Sequence, residues 1–265
     1  MNTVTTKDGT RIAYEKKGDG PALILVDGAL CSRSQGPNGP LAALLQKHFT
    51  VYTYDRRGRG GSGNSSSYSI DYEIQDLEAL IREAGGTVHL YGISSGAALA
   101  LEAANRLSSV KKLALYEAPF IVDDSRAPLP ATYRERMESL LASGKRSAAV
   151  KHFMRAGVGL PAPLVAIMPL MPAWSKLKAV AHTLPYDTLL TMEHQRGSAA
   201  SLERWASLSV PSLVMAGGKS PQWMRNAMHS LAHTLPSAQL ETLPGQTHIV
   251  KPSVLAPVLQ RFFLS

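Results

Sequence analysis

Apolar and polar positions along this chain follow two alternating rhythms. "RIAYEKKG" (11–18) alternates every second residue, as a half-exposed strand does, and "PALILVDG" (21–28) is an unbroken apolar run closed by a glycine turn. "LAALLQKH" (41–48) returns to helical spacing, and "FTVYTYD" (49–55) is rich in β-formers before the glycine loop "RRGRGGSG". "DYEIQDLEALIREAGG" (71–86) predicts an amphipathic helix with acids early and Gly85–Gly86 closing it. "TVHLYGI" (87–93), "SGAALALEAANRL" (95–107) and "VKKLALYEA" (110–118) then read as strand, helix, strand. The last part repeats the alternation: "VPSLVMAGG" (210–218), a helix over 222–235, "AQLETLPG" (238–245) and a terminal helix "SVLAPVLQRFF" (253–263).

Strands alternating with helices predict an α/β fold, a mostly parallel central sheet covered by helices on both faces. Residues 1–119 and 206–265 carry that rhythm and form the expected core. Over 120–205 it disappears. Prolines at 128, 130, 161, 163, 169, 172 and 185 and methionines at 137, 154, 168, 171 and 192 accompany no strand-like run. This stretch reads as a helical insertion, and adaptable Met-rich helices over the carboxyl ends of strands suit a cap on a pocket. No apolar run is expected to approach the roughly eighteen residues of a membrane span, and the polar N-terminus lacks the apolar centre of a signal peptide. Cytoplasmic location is the expectation, since the single cysteine, Cys31, permits no internal disulfide.

Composition narrows the function classes. Hydrophobic residues make up 45% and charged residues 18%, which fits a folded globular chain. Net charge is +8, but the bases are scattered and the aromatics, at 6%, do not interleave with them. A nucleic-acid or membrane partner is therefore not expected; a basic surface favouring a small anionic substrate is.

The candidate chemistry centres on Gly92-Ile93-Ser94-Ser95-Gly96, which fits G-x-S-x-G between a strand and a helix. A serine there sits on a strained turn with the helix N-terminus aimed at it, and the Ser95 N–H can donate to an oxyanion. A proton acceptor is needed next. Of eight histidines, His248 in "LPGQTHIVKP" lies in a loop between the last strand and the last helix. Its orienting acid cannot follow 210–218, because no Asp or Glu occurs from Val210 until Glu241. Glu117, at the carboxyl end of the strand after the Ser94 helix, is the candidate, with Asp123 and Asp124 as second choices.

In these motifs and their order, the chain resembles the α/β-hydrolase fold superfamily along its whole length. "KDGTRIAYEKKGDGPALILVDG" resembles that family's opening hairpin and oxyanion strand. "YDRRGRGGSG" matches its D-x-R-G-x-G-x-S loop through Asp55, Arg57, Gly58, Gly60 and Ser62. The resemblance implies a cofactor-independent, metal-free serine hydrolase of an ester, lactone or related carbonyl, with the Ala29 N–H as second oxyanion donor. It departs at Asp27-Gly28, where the family usually has His-Gly, and in its acid, which in relatives such as haloalkane dehalogenases also follows the earlier strand. Asp27 is read first as a loop cap accepting backbone N–H bonds, and otherwise as a substrate-binding carboxylate that changes the charge balance of the site. Leu30, Trp174, Trp223, Met168 and Met171 are candidate pocket walls, while Asp55 and Arg57 read as loop braces and Cys31 as a packed thiol. The alternative is a non-hydrolytic catalyst, lyase or cyclase, or a receptor with a relict triad. A monomer or homodimer fits equally.

Overall fold

Eight strands hydrogen-bond into one sheet in the order β1-β2-β4-β3-β5-β6-β7-β8 in the computed structural model, which describes residues 1–65 and 67–265. They are β1 (Asn2–Thr5), β2 (Arg11–Lys17), β3 (Ala22–Val26), β4 (Thr50–Tyr54), β5 (Val88–Ile93), β6 (Val110–Tyr116), β7 (Ser212–Gly217) and β8 (Ala238–Leu243). Only β1–β2 and β2–β4 are antiparallel; every other pairing is parallel, as the strand–helix rhythm predicts.

Side-chain alternation along the strands builds two cores. On β3, Ile24 and Val26 face one core, shared with helices α2 (Ile70–Glu83), α3 (Ser95–Arg106) and α9 (Gln222–Thr234). Leu23 and Leu25 face the other, filled by α1 (Asn38–Leu45) and α10 (Pro252–Leu264). Burial of each such Leu, Ile or Phe contributes about 1.5–3 kcal/mol. The long α2 begins as its sequence predicts: the Ser69 hydroxyl accepts the Asp71 N–H at 3.2 Å, with Asp71 and Glu73 in the first turn.

Three sequence expectations change. The sequence pattern gave no strand at Asn2–Thr5, because an exposed, polar edge strand carries no apolar period. Helix α1 starts at Asn38, three residues before the expected Leu41. The third concerns the apolar runs. Ala156–Trp174 is nineteen residues without a charged or polar side chain, long enough to span a membrane by length alone. Prolines 161, 163, 169 and 172 break it into short pieces, and no helix among the described residues is long and apolar enough to cross a membrane.

Between β6 and β7 the described chain is helical, as expected, with α4 (Tyr133–Ala142), α5 (Arg146–His152), α6 (Ala162–Ile167), α7 (Trp174–Ala179) and α8 (Leu184–Thr191) joined by short tighter or wider turns. Its own apolar cluster joins Tyr133, Met137, Val150, Met168, Trp174 and Leu184 to Leu30, which follows β3.

Candidate active site

Three non-glycine residues have positive φ among the described residues: Leu30 (φ 60°), Ser94 (φ 58°) and Glu117 (φ 47°). They follow the adjacent strands β3, β5 and β6, just beyond their carboxyl ends. Such angles cost on the order of 1–3 kcal/mol each and persist only where the surroundings enforce them. Strain of this kind clusters where a fold holds functional groups.

Ser94 is fixed by its neighbours. Its N–H donates to the Tyr116 carbonyl at 2.9 Å, and its own carbonyl accepts the Ala97 N–H at 2.9 Å, starting α3. The flanking glycines are required sterically. A Cβ on Gly92 would stand 2.3 Å from the Gly96 carbonyl oxygen, and one on Gly96 would stand 2.4 Å from that of Val26. A Cβ on Gly28 would lie 2.9 Å from the Ser94 Cβ and 3.5 Å from its Oγ, so the loop after β3 passes directly over the serine. Ser95 opens α3, where helix geometry leaves the first N–H groups without intrahelical partners.

Glu117 is fully buried, and its two carboxylate oxygens have separate duties. Oε1 accepts the Gly217 N–H at 2.7 Å, while Oε2 lies 2.9 Å from His248 Nδ1. The backbone N–H of Glu117 donates to the Met215 carbonyl at 3.1 Å. One residue earlier, the Tyr116 hydroxyl donates to the Thr247 carbonyl at 2.7 Å and so anchors the loop that presents His248. With Glu117 on its Nδ1 side, the imidazole keeps its proton there and leaves Nε2 free to accept one.

Asp123 takes no part in this arrangement. It accepts from the Asn226 amide at 2.6 Å and from Ser125, and Asp124 is exposed.

Asp27 is buried, with Oδ1 lacking a partner. Burial pushes its carboxyl up to about 7, against the pull of Arg59, Arg56 and the Asn38 N–H at the start of α1. Cys31 is likewise held as a thiol, its pKa pushed up to about 12 by burial.

Arg56 and Arg59 were not singled out from the sequence. Both are buried, and Asp187 on α8 bridges them at 2.7 Å each while accepting the Ser95 hydroxyl at 2.7 Å. Burial raises the Asp187 pKa, but Arg59 and Arg56 outweigh it and hold the carboxyl below its ordinary range. The Ser95 side chain is thus committed to this network, not to the space above Ser94. Arg56 also binds Glu73 at 2.7 Å. Arg59 Nη1 donates to the Gly28 carbonyl at 2.6 Å. That carbonyl shares a planar trans peptide with the Ala29 N–H, so anchoring one end aims the other in the opposite direction. Arg57 binds Asp76 and Asp8 at 2.7 and 2.6 Å, and Asp55 accepts the N–H groups of Arg33 and Gly61.

The candidate wall residues divide. Leu30, Met168 and Trp174 lie together in the apolar cluster of the helical segment. Trp223 packs on Ile121 and Met224 under the Arg126 guanidinium, 4.3 Å from its ring centre. Met171 is half exposed and lies outside these clusters, because it caps the turn after Met168 on the outer surface of the segment.

His194, in the segment before β7, packs against the stacked pair Phe120 and Trp205, at 4.9 and 4.6 Å from their ring centres, and lacks a partner for Nδ1. Burial pulls its pKa down to about 4. Between there and the unfolded value near 6.5 the unfolded chain holds the extra proton, so this contribution is complete above that range and is lost as pH falls through it. The loss reaches about 3 kcal/mol. Asp27 and Asp76, with pKa values raised to about 7, slope the opposite way. The stability difference between wild type and His194→Phe, from urea melts, should therefore shift in favour of the variant as pH drops from 7 to 4. A difference independent of pH would show that His194 titrates normally.

A mostly parallel sheet carrying a strained serine at a strand–helix turn, with a carboxylate after β6 paired to a histidine after β8, has the architecture of the α/β-hydrolase class. The sequence matches the alpha/beta hydrolase family over residues 32–257, and the chain belongs to that family. It is similar along its length to an alpha/beta hydrolase from Sphaerobacter thermophilus DSM 20745, at 49% identity and TM-score 0.91, covering 99% of this chain and 100% of that one. The enol-lactonase from Burkholderia xenovorans LB400 shares the fold at 19% identity and TM-score 0.74, with full coverage of both chains. The uncharacterized hydrolase YraK of Bacillus subtilis (strain 168) is 30% identical over 98 residues, 36% of this chain. The matched part spans about a third of that curated relative's length, 35%.

Proposed function

We propose that the chain is a serine hydrolase of a small to medium ester, lactone or related carbonyl compound, working through an acyl-enzyme. The observation that carries this reading is the His248 Nδ1 to Glu117 Oε2 contact of 2.9 Å, on a carboxylate one residue after the Tyr116 carbonyl that holds the N–H of Ser94, itself at positive φ. Ser94 Oγ attacks the carbonyl carbon while His248 Nε2 takes its proton. The resulting oxyanion accepts from the N–H groups of Ala29 and Ser95. Collapse expels the alcohol, which recovers the proton from His248 and leaves the acyl group on Ser94. Water, deprotonated by the same imidazole, then attacks the acyl carbon and releases the acid. Glu117 holds the ring in the right tautomer and stabilises the imidazolium.

In this reading the helical segment 120–205 is the cap. Its cluster around Met168 and Trp174, continuous with Leu30, supplies apolar walls for the acyl or ring portion of the substrate. The chemistry needs neither cofactor nor metal.

A fluorophosphonate probe tests the assignment, because it reacts only with an activated serine. The purified chain should be labelled at Ser94, with mass spectrometry locating the adduct, and Ser94→Ala should not be labelled. An activated ester should also give a burst of product equal to the enzyme concentration. A wild-type chain that stays unlabelled removes the hydrolase reading.

A further inference from the structure

The helical segment has an outer surface that the chemistry at Ser94 does not use. From Ala156 to Trp174 every side chain is apolar. Val165, Met168 and Trp174 turn inward and are buried. Ala156 and Leu160 pack partly against the same cluster, while an apolar ridge faces solvent: Leu170 is 84% exposed and Ile167 58%, with Leu164 beside them at 45%. Scattered exposed leucines are ordinary, but an unbroken apolar stretch of this kind marks a contact surface.

The surrounding charges say what would cover it. Between Glu138 and Asp187 there is no acid, while six bases occur: Lys145, Arg146, Lys151, Arg155, Lys176 and Lys178. Two are tied to the ends of the ridge and its following helix. Arg155 donates to the Leu160 carbonyl at 3.0 Å, and Arg146 donates to that of Ala179 at 3.4 Å. Lys176, also exposed, lies in α7 immediately after the run. Among these bases none forms an ion pair within the described residues.

A second copy of the chain is a poor occupant. A two-fold dimer would set the same patch against itself and bring like charges together around the ridge. An acidic protein surface would meet the cations but would find no polar side chain across nineteen residues for the hydrogen bonds that interfaces usually carry. An anionic lipid surface satisfies both features. Acyl chains accept the apolar ridge, and phosphate headgroups meet the flanking bases.

We infer that the ridge Leu164–Leu170, with its flanking bases, is a docking surface for an anionic phospholipid bilayer, which the chain binds peripherally. The sequence reading expected no membrane partner because the bases are scattered and no apolar run was read as a span. Attachment of this kind requires none.

The test uses the full chain with vesicles of phosphatidylcholine alone or mixed with phosphatidylglycerol, separated by flotation. The wild type should float with the mixed vesicles and much less with phosphatidylcholine alone, and added salt should release it. Ile167→Ser with Leu170→Ser should weaken mixed-vesicle binding about tenfold or more. Arg155→Glu with Lys176→Glu should do the same, since each base near an anionic surface is worth about a fivefold change in binding. Both pairs should keep wild-type turnover of a soluble ester and wild-type melting temperature, which separates lost docking from misfolding. Failure of the wild type to float with mixed vesicles overturns the inference. A dimer in sedimentation analysis that the serine pair dissociates, without vesicle binding, assigns the ridge to a second copy instead.

Discussion

Glu117→Gln is expected to lower kcat on an activated ester by about four orders of magnitude with the fold unchanged. The carboxylate accepts two hydrogen bonds, from the Gly217 N–H at 2.7 Å and from His248 Nδ1 at 2.9 Å. A glutamine has one acceptor oxygen for the two donors. If it keeps the Gly217 bond, its NH2 faces Nδ1, and the ring must carry its proton on Nε2, where it can no longer accept one from Ser94. If it turns round, its NH2 meets the Gly217 N–H and a buried donor loses its acceptor. Glu117→Asp is expected to fail for another reason: the shortened side chain cannot span from β6 to His248. The measurement is steady-state turnover together with the rate of fluorophosphonate labelling, checked by near-UV circular dichroism. Retention of activity within about tenfold of wild type would show that another group orients His248.

Asp187→Ala is expected to destabilise the protein by about 3–5 kcal/mol. Asp187 is the only carboxylate paired with Arg59 among the described residues, whereas Arg56 keeps Glu73. Removing it leaves the buried Arg59 guanidinium with no carboxylate paired to it among the described residues. The loss also frees the Ser95 hydroxyl and loosens the hold of Arg59 on the Gly28 carbonyl. Asp187→Asn should be milder, because its amide oxygen still accepts from one arginine. Urea unfolding reads the stability, and kcat on the same ester reads the oxyanion loop. A change below about 1 kcal/mol for the alanine variant would mean that water replaces the carboxylate and that the network is not sealed.

The sheet was legible because each parallel strand is a short apolar run bounded by turn residues, and every following helix has a polar face. What escaped was set by tertiary contact. Asn2–Thr5 became a strand only because Arg11–Lys17 offers it an edge. The pairing of Glu117 with His248 was readable, since an acid at a strand tip is a local feature and the usual acid position is empty in the sequence. The roles of Arg56 and Arg59 were not. Three arginines in one glycine loop look like a solvated charge cluster, and the carboxylate that draws two of them inward lies 131 and 128 residues further on. Likewise, proline-broken helices hid how long the apolar run after Arg155 is.

The Asp187 bridge also determines which part of the segment 120–205 can move. Swinging α8 away from the core would strip a carboxylate from two buried guanidiniums at once, so α8 behaves as a fixed post. α6 and α7, six residues each and separated by prolines, carry no ion pair among the described residues and are the more loosely held part of the segment. Firmly and loosely held parts thus share one segment, and Arg59 keeps its hold on the Gly28 carbonyl whatever α6 and α7 do.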